Sequence, residues 1–400
     1  MIYFDHNSTT SYSPSVRKYL KQGILEDWYN PSSIYFKAQN LYQKIRDCRQ
    51  FLSEYLNCSS KHLFFTSGAT ESINTILSLE TLKLHQLSGF ISSFLEHHAT
   101  LKRLNYLSKQ KKEVSLVHWI TSYQGEIDLN QLEKMCFKYP KSLLSFLSAN
   151  NETGVITNIK TIRQIAKKYH CLIHVDAVQS LGKEPVDLED WDVDFVSFSG
   201  HKIGAMKGIG LLYAKKAFAP LMHGGGQERA LRPGTYNYPA IKSFKLAVQD
   251  IDLKKQDYVR KLRDYLEDKL LTLSKESLEK NLSSSFEINC KNANRLPNTS
   301  NIYCAGVENH VLVLSLAQKG LYISSGSACN EGSTEPSHVI TMLNGSADKA
   351  YARSCIRVSL SPSNTKQEVD LLEISLKEIL DKHISSYPKK FEGILESSNL

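Results

Sequence analysis

Asp194-Phe195-Val196-Ser197-Phe198-Ser199-Gly200-His201-Lys202 is the stretch from which the rest of the chain reads outward. Its apolar, β-branched and aromatic run predicts a buried strand, and the small-residue turn that follows carries a hydroxyl, an imidazole and a single lysine. An amine buried at a strand end is held nearer its neutral form and can condense with an aldehyde cofactor. In a chain with 49 lysines and arginines, a surface position is the plainer reading of any one of them. The neighbouring strands decide between the two.

Upstream the pattern repeats. Leu63-Phe64-Phe65-Thr66 predicts a strand and 69–84 a helix; 89–95 predicts a strand followed by a helix to Ser108. Next come a strand at 114–119, a helix at 129–139, a strand at 143–147, a helix at 159–169 and a strand at 171–175. Downstream, Gly210-Leu211-Leu212-Tyr213-Ala214 completes the series. Strands alternating with helices at this spacing imply an α/β fold with a mainly parallel seven-stranded sheet, covered by helices on both faces. Ligands then bind at the carboxyl ends of the strands.

Before this series lie a polar turn at Asp5-His6-Asn7-Ser8-Thr9-Thr10, a helix from near Pro14, a turn at Asn30-Pro31-Ser32-Ser33 and an amphipathic helix to about Leu56. After it the texture changes to a long charged helix at 253–273, a polar segment, strands at 300–304 and 355–360, and a closing helix from Lys366. The expected division is a large domain over 15–250 and a smaller α/β domain made of 1–14 and 251–400.

With 41% hydrophobic and 22% charged residues in 400, neither a disordered nor a fibrous class is favoured. The net charge of +8 is mild for this length, and the densest basic cluster, Lys109-Gln110-Lys111-Lys112, reads as a solvated helix end, so no direct nucleic-acid binding is expected. No basic-then-apolar leader opens the sequence and no apolar run reaches membrane-spanning length, so a soluble cytoplasmic protein is expected. Eight cysteines are scattered without the close pairs of a zinc site, which predicts mostly reduced core thiols.

Polar residues gather at the strand ends. Thr66-Ser67-Gly68-Ala69-Thr70-Glu71 makes a strand-to-helix turn whose free N–H groups favour a phosphate. Glu96-His97-His98-Ala99 offers a flat ring for stacking, and Asn150-Asn151-Glu152-Thr153-Gly154 ends another strand. His174-Val175-Asp176-Ala177-Val178-Gln179 places a carboxylate where burial demands a partner, a need that a protonated ring nitrogen would meet. One aspartate, one lysine, a phosphate cup and a stacking residue at successive strand ends describe a pyridoxal 5′-phosphate site.

These segments, together with Ser199-Gly200-His201-Lys202 and Ser324-Ser325-Gly326-Ser327-Ala328-Cys329, resemble the cysteine desulfurase family, the NifS/IscS type of the class V aminotransferases. The similarity runs from about Tyr3 to about Asp370, with the motifs in the family's order. The resemblance implies the pyridoxal-phosphate-dependent transferase fold of type I, with Lys202 as the covalent anchor, Asp176 on the ring nitrogen and His97 on the ring face. It implies Gln179 and Asn151 near the ring's phenolic oxygen, and Ala69, Thr70, Ser199 and His201 around the phosphate. Thr235, within Arg232-Pro233-Gly234-Thr235, would join them from a second subunit, which implies a homodimer.

By the same resemblance Arg357 would take the carboxylate of L-cysteine, with Asn151 beside it, by a two-point contact that lysine could not imitate. Cys329 would receive the sulfur as a persulfide and pass it to an iron–sulfur scaffold or to another acceptor for tRNA or cofactor thiolation. No intrinsic metal is implied, Cys329 serving at most as a transient iron–sulfur ligand. Its neighbours Asn330-Glu331-Gly332-Ser333 have the composition of a loop rather than a packed strand. Other readings are a selenocysteine lyase, a related aminotransferase, which would have no use for Cys329, or a non-catalytic scaffold.

The sequence departs from the family pattern at Asn7-Ser8, where Ser-Ala is commoner, at Tyr35, Ala38 and Pro233, and at Gly204-Ala205-Met206, where Gly-Pro usually precedes the next lysine. None of these removes a chemical group, but they bear on dimer contacts and loop geometry. An unusual structure is expected first at Gly204-Ala205-Met206.

Overall fold

The structure is a computed structural model that describes residues 1–26, 28–110, 116–120, 122–279, 285–326, 335–343 and 349–386. Its central sheet has seven strands, in the order Leu63–Thr66, Gly210–Ala214, Phe195–Ser199, Leu172–Asp176, Leu143–Leu147, Phe90–Ser93, Val117–Ile120. Gly210–Ala214 runs antiparallel to both its neighbours, and every other pairing is parallel. The register aligns Leu147, Asp176 and Ser197 side by side, and pairs Gly210 with both Thr66 and Ser199. The strand ends therefore share one edge of the sheet.

The strands are buried on both faces, so their apolar runs do not alternate with polar residues. Phe65, Phe198 and Leu211 pack on one side with residues of the helices Phe36–Tyr55, Ile159–Lys168 and Tyr238–Gln249. Phe64, Phe195 and Leu212 pack on the other side with residues of Ala69–Ile76 and His98–Gln110. Adjacent residues of one strand thus serve opposite cores, as the pleat requires.

Two elements differ from the sequence reading. The helix expected over 69–84 is two helices, Ala69–Ile76 and Leu79–Leu84, because Leu77 turns to ψ 74° and the Ser78 side chain then accepts the Thr81 N–H as a fresh N-cap. The strand expected over 89–95 stops at Ser93, whose hydroxyl donates to Glu96 and accepts from the Leu95 N–H, bending the chain into a turn. The strand expected over 114–119 is described only from Val117, since 111–115 fall outside the described residues.

A second hydrophobic cluster forms around the antiparallel sheet Phe286–Ile288, Thr299–Cys304, Cys355–Ser359 and residues of the helices Gln256–Glu279, Asn309–Gln318 and Lys366–Ser386. Phe4 belongs to this cluster, and the N-terminal strand Ile2–Tyr3 pairs with Leu321–Tyr322. The chain's first residues are therefore built into its C-terminal lobe. Among the described residues no helix is long and apolar enough to cross a membrane, and no three His, Cys, Asp or Glu side chains gather as a metal site.

Gly204-Ala205-Met206 is a packed turn. Gly204 has φ +86°, and a Cβ there would lie 2.8 Å from Ser13 N and 2.9 Å from Ser11 O. Ala205 N–H bonds Gly200 O, Ser13 N–H bonds Gly204 O, and Met206 N–H bonds Ser243 Oγ. Glycine is required there by both conformation and space.

Candidate active site

A cleft of ≈690 Å³ opens at the shared strand ends, with walls from both lobes. Lys202, Asp176, His97, Gln179, His201 and Arg357 line it, and so do Ala69, Thr70, Asn151 and Ser199. Thr235 is exposed and does not line this cleft. Cys329 lies outside the described residues.

Lys202 follows the strand Phe195–Ser199 in a single 3-10 turn, Gly200–Lys202, and lines the cleft. Its Nζ donates to the backbone carbonyls of Asn7 (2.7 Å) and Ser8 (2.8 Å). Asp176 is 2% exposed and accepts the Val178 N–H at 3.1 Å. Burial is the larger influence on its carboxyl and pushes it up to about 6, although the Val178 N–H and Lys202 pull the other way. Such a carboxylate calls for a cationic or N–H-bearing partner from the cleft side.

Gln179 has its amide orientation fixed from two directions. Lys183 donates to its Oε1, so Nε2 faces the site and donates to Asn7 O at 3.1 Å. His97 precedes the helix His98–Gln110 and accepts the Ala99 N–H on Nδ1. Burial first, then the charge of Lys202, lowers its imidazole to about 4, so the ring that lines the cleft is neutral. His201 is likewise lowered to about 4, mainly by burial, and its Nδ1 lies 3.2 Å from Thr9 Oγ1.

The helix Ala69–Ile76 points its N-terminus at the cleft, and its N-cap, Gly68, contributes no side-chain hydrogen bond. The first-turn N–H groups of such a helix, beside Thr70, Ser199 and His201, can hold a phosphate. Glu71 on the same turn accepts from Ser67 N–H and pairs with Arg232 through two bonds of 2.9 and 3.2 Å. That pair ties the turn to the segment bearing Thr235.

Arg357, in the strand Cys355–Ser359, is 2% exposed. Its Nη1 donates to Asn151 O and Gly326 O, and its Nη2 to Asp5 Oδ1 and Ser8 Oγ. Sequence reasoning missed Lys183 and the bonding of Asn7, Ser8 and Asp5. A signal was present in Gly182-Lys183, four residues after Gln179, but a lysine beyond a turn reads as solvated. Also missed were Glu152, which accepts from Ser337 Oγ at 2.6 Å, and His338, whose ring lies 4.7 Å from that of His98 at the cleft wall.

The aminotransferase class-V family model matches residues 2–372. The chain belongs to that family, in its NifS/IscS-type cysteine desulfurase branch. Cysteine desulfurase IscS of Dictyoglomus turgidum is 34% identical, over 98% of this chain and 97% of its own. A cysteine desulfurase of Nostoc is also 34% identical, over 96% and 93%. Among solved structures, a NifS-like protein superposes with a TM-score of 0.82 at 32% identity, covering 95% of this chain and 99% of that one. SspA in complex with cysteine gives a TM-score of 0.74 at 29% identity, covering 91% and 100%. Family members use pyridoxal 5′-phosphate, and the residues present fit it: a primary amine, a carboxylate whose proton affinity burial raises and a helix N-terminus with no side-chain cap meet in one cleft.

Proposed function

We propose that this protein is a cysteine desulfurase that takes sulfur from L-cysteine, releases L-alanine and holds the sulfur as a persulfide on Cys329. The observation that carries the reading is the meeting of Lys202 and buried Asp176 beneath the Ala69–Ile76 helix terminus, in a chain related end to end to cysteine desulfurases. Bound pyridoxal 5′-phosphate supplies an electron sink for the carbon skeleton of the substrate.

In this reading Lys202 would anchor the cofactor, and its free amine would take the proton from the substrate Cα as a general base. Asp176 would face the ring nitrogen and keep its proton in place. His97 would lie on the ring face, Gln179 and Asn151 would bond its oxygen, and the Ala69 N–H, Thr70, Ser199 and His201 would hold the phosphate. Thr235 of a second copy completes the phosphate site, so the working unit is a homodimer. Arg357 receives the substrate carboxylate, with Asn151 beside it. The Cys329 thiolate attacks the substrate sulfur: the S–S bond forms as the Cβ–S bond breaks, carbon keeps the bonding electrons, and protonation completes L-alanine.

The acceptor is an iron–sulfur scaffold or a thiolation protein, met in the cytoplasm, with Cys329 as a transient iron–sulfur ligand. The lobes divide as 15–250 and 1–14 with 251–400. The hydrophobic clusters support that division, since Phe4 packs with residues beyond 258. Purified protein loaded with the cofactor should be yellow and convert L-cysteine to L-alanine, and Cys329→Ser should stay yellow while losing sulfide and persulfide production. Full turnover in that variant would sink the assignment of Cys329. Turnover on L-selenocysteine but not on L-cysteine would favour a selenocysteine lyase.

A further inference from the structure

Arg357 has no free Nη proton in this structure. Four Nη hydrogens meet four acceptors: Asn151 O at 3.0 Å, Gly326 O at 2.9 Å, and Asp5 Oδ1 and Ser8 Oγ at 2.7 Å each. Among the described residues its buried Nε has no partner. A guanidinium grips a carboxylate through two parallel N–H bonds, so an incoming carboxylate must displace at least one of these acceptors.

The four are not equally displaceable. Two are backbone carbonyls fixed by the chain, and Asp5 carries the ion-pair charge that matches the buried guanidinium. Ser8 is neutral, its hydroxyl moves by a single side-chain rotation, and it lines the cleft, which Asp5 does not. The hydroxyl also donates to Asp5 Oδ1 at 2.8 Å, so it bridges both members of the pair. Through its backbone carbonyl the same residue accepts from Lys202 Nζ at 2.8 Å. One residue therefore touches both groups that an amino-acid substrate must engage.

We infer that Ser8 is a displaceable clasp on Arg357: its hydroxyl holds the Nη2 position that the substrate carboxylate takes, and so sets the affinity for substrates bearing a carboxylate. Ser8 is a positioning residue in this role, acting through Arg357. The inference rests on the reading of Arg357 as the carboxylate's partner.

The test measures steady-state kinetics of the cofactor-loaded enzyme with L-cysteine, and inhibition by cysteamine, which has the amine and thiol but no carboxylate. Ser8→Ala should lower KM for L-cysteine about fivefold, the usual net worth of one hydrogen bond, and alter kcat less than KM. Inhibition by cysteamine should be unchanged, and Ser8→Thr, which restores a hydroxyl, should restore KM. An unchanged or raised KM in Ser8→Ala overturns the clasp, as does an equal gain in cysteamine binding. Arg357→Lys separates the two levels: it should weaken L-cysteine more than cysteamine. If it weakens both equally, the reading of Arg357 itself fails, and the clasp with it.

Discussion

Asn7 bonds through every polar atom it has. Its N–H donates to Ser359 Oγ, its carbonyl accepts from Gln179 Nε2 and Lys202 Nζ, its Oδ1 from Lys183 Nζ and Asn298 Nδ2, and its Nδ2 donates to Asn151 O and Thr299 Oγ1. The side chain satisfies a buried amine, since burial holds Lys183 well below its usual range. Asn7→Ala would leave Lys183 and Asn298 short of an acceptor, and should lower unfolding stability in urea by about 2–3 kcal/mol. A loss under about 0.5 kcal/mol would contradict that role. Asp176→Asn, which removes the charge and keeps the shape, should cut kcat about 10²–10³-fold in a turnover assay, the scale of one preorganised electrostatic contact. That Asp176 and Lys202 would come together at the strand ends was legible because one closes an apolar run and the other follows one by a single turn. Asn7 and Lys183 were not, because their roles come from contacts across 176 and more positions of sequence.

At the scale of elements, the Gly68 turn proposed to hold the phosphate depends on the strand beside it. A Cβ at Gly210 would lie 2.6 Å from Gly68 Cα and 2.8 Å from Phe198 O, both backbone atoms that cannot step aside. Gly210→Ala should therefore displace the Gly68 turn, cost about 1–3 kcal/mol in thermal or urea unfolding, and weaken cofactor retention on dialysis. Retention equal to wild type would show that the turn tolerates the shift. The strands were readable from their apolar runs, and the helices between them from their apolar spacing. The break at Leu77-Ser78 was not, because the apolar pattern continues across it and only the Ser78 cap decides. The strand Phe286–Ile288 was hidden too, since it exists by pairing with Thr299–Cys304 rather than by any run of its own.

For the whole molecule, burial sets a pH profile. His6, His97 and His201 are lowered to about 4 and His174 to about 3, in each case mainly by burial. Unfolded imidazoles take up protons below about 6.5, so the stability these groups contribute is full above that pH and is lost as pH falls toward 4. Asp176, raised to about 6, and Glu96, raised to about 8, act in the opposite sense, because their folded forms bind the proton more tightly. His62, His98, His118 and His338 are lowered as well, and Glu152, Glu184 and Asp194 raised, so the lowered imidazoles outnumber the raised carboxyls eight to five among the described residues. The urea midpoint of the cofactor-free protein should fall between pH 7 and 5, and a flat or rising midpoint would contradict the burial of these rings.

In the proposed reaction Lys202 holds the cofactor and Cys329 receives the sulfur. Intact-protein mass spectrometry after a brief exposure to L-cysteine tests it most directly. The cofactor-loaded wild type should gain the mass of one sulfur atom, removable by a reductant, while Cys329→Ser and Lys202→Ala should gain none. An equal gain in Cys329→Ser would contradict the account.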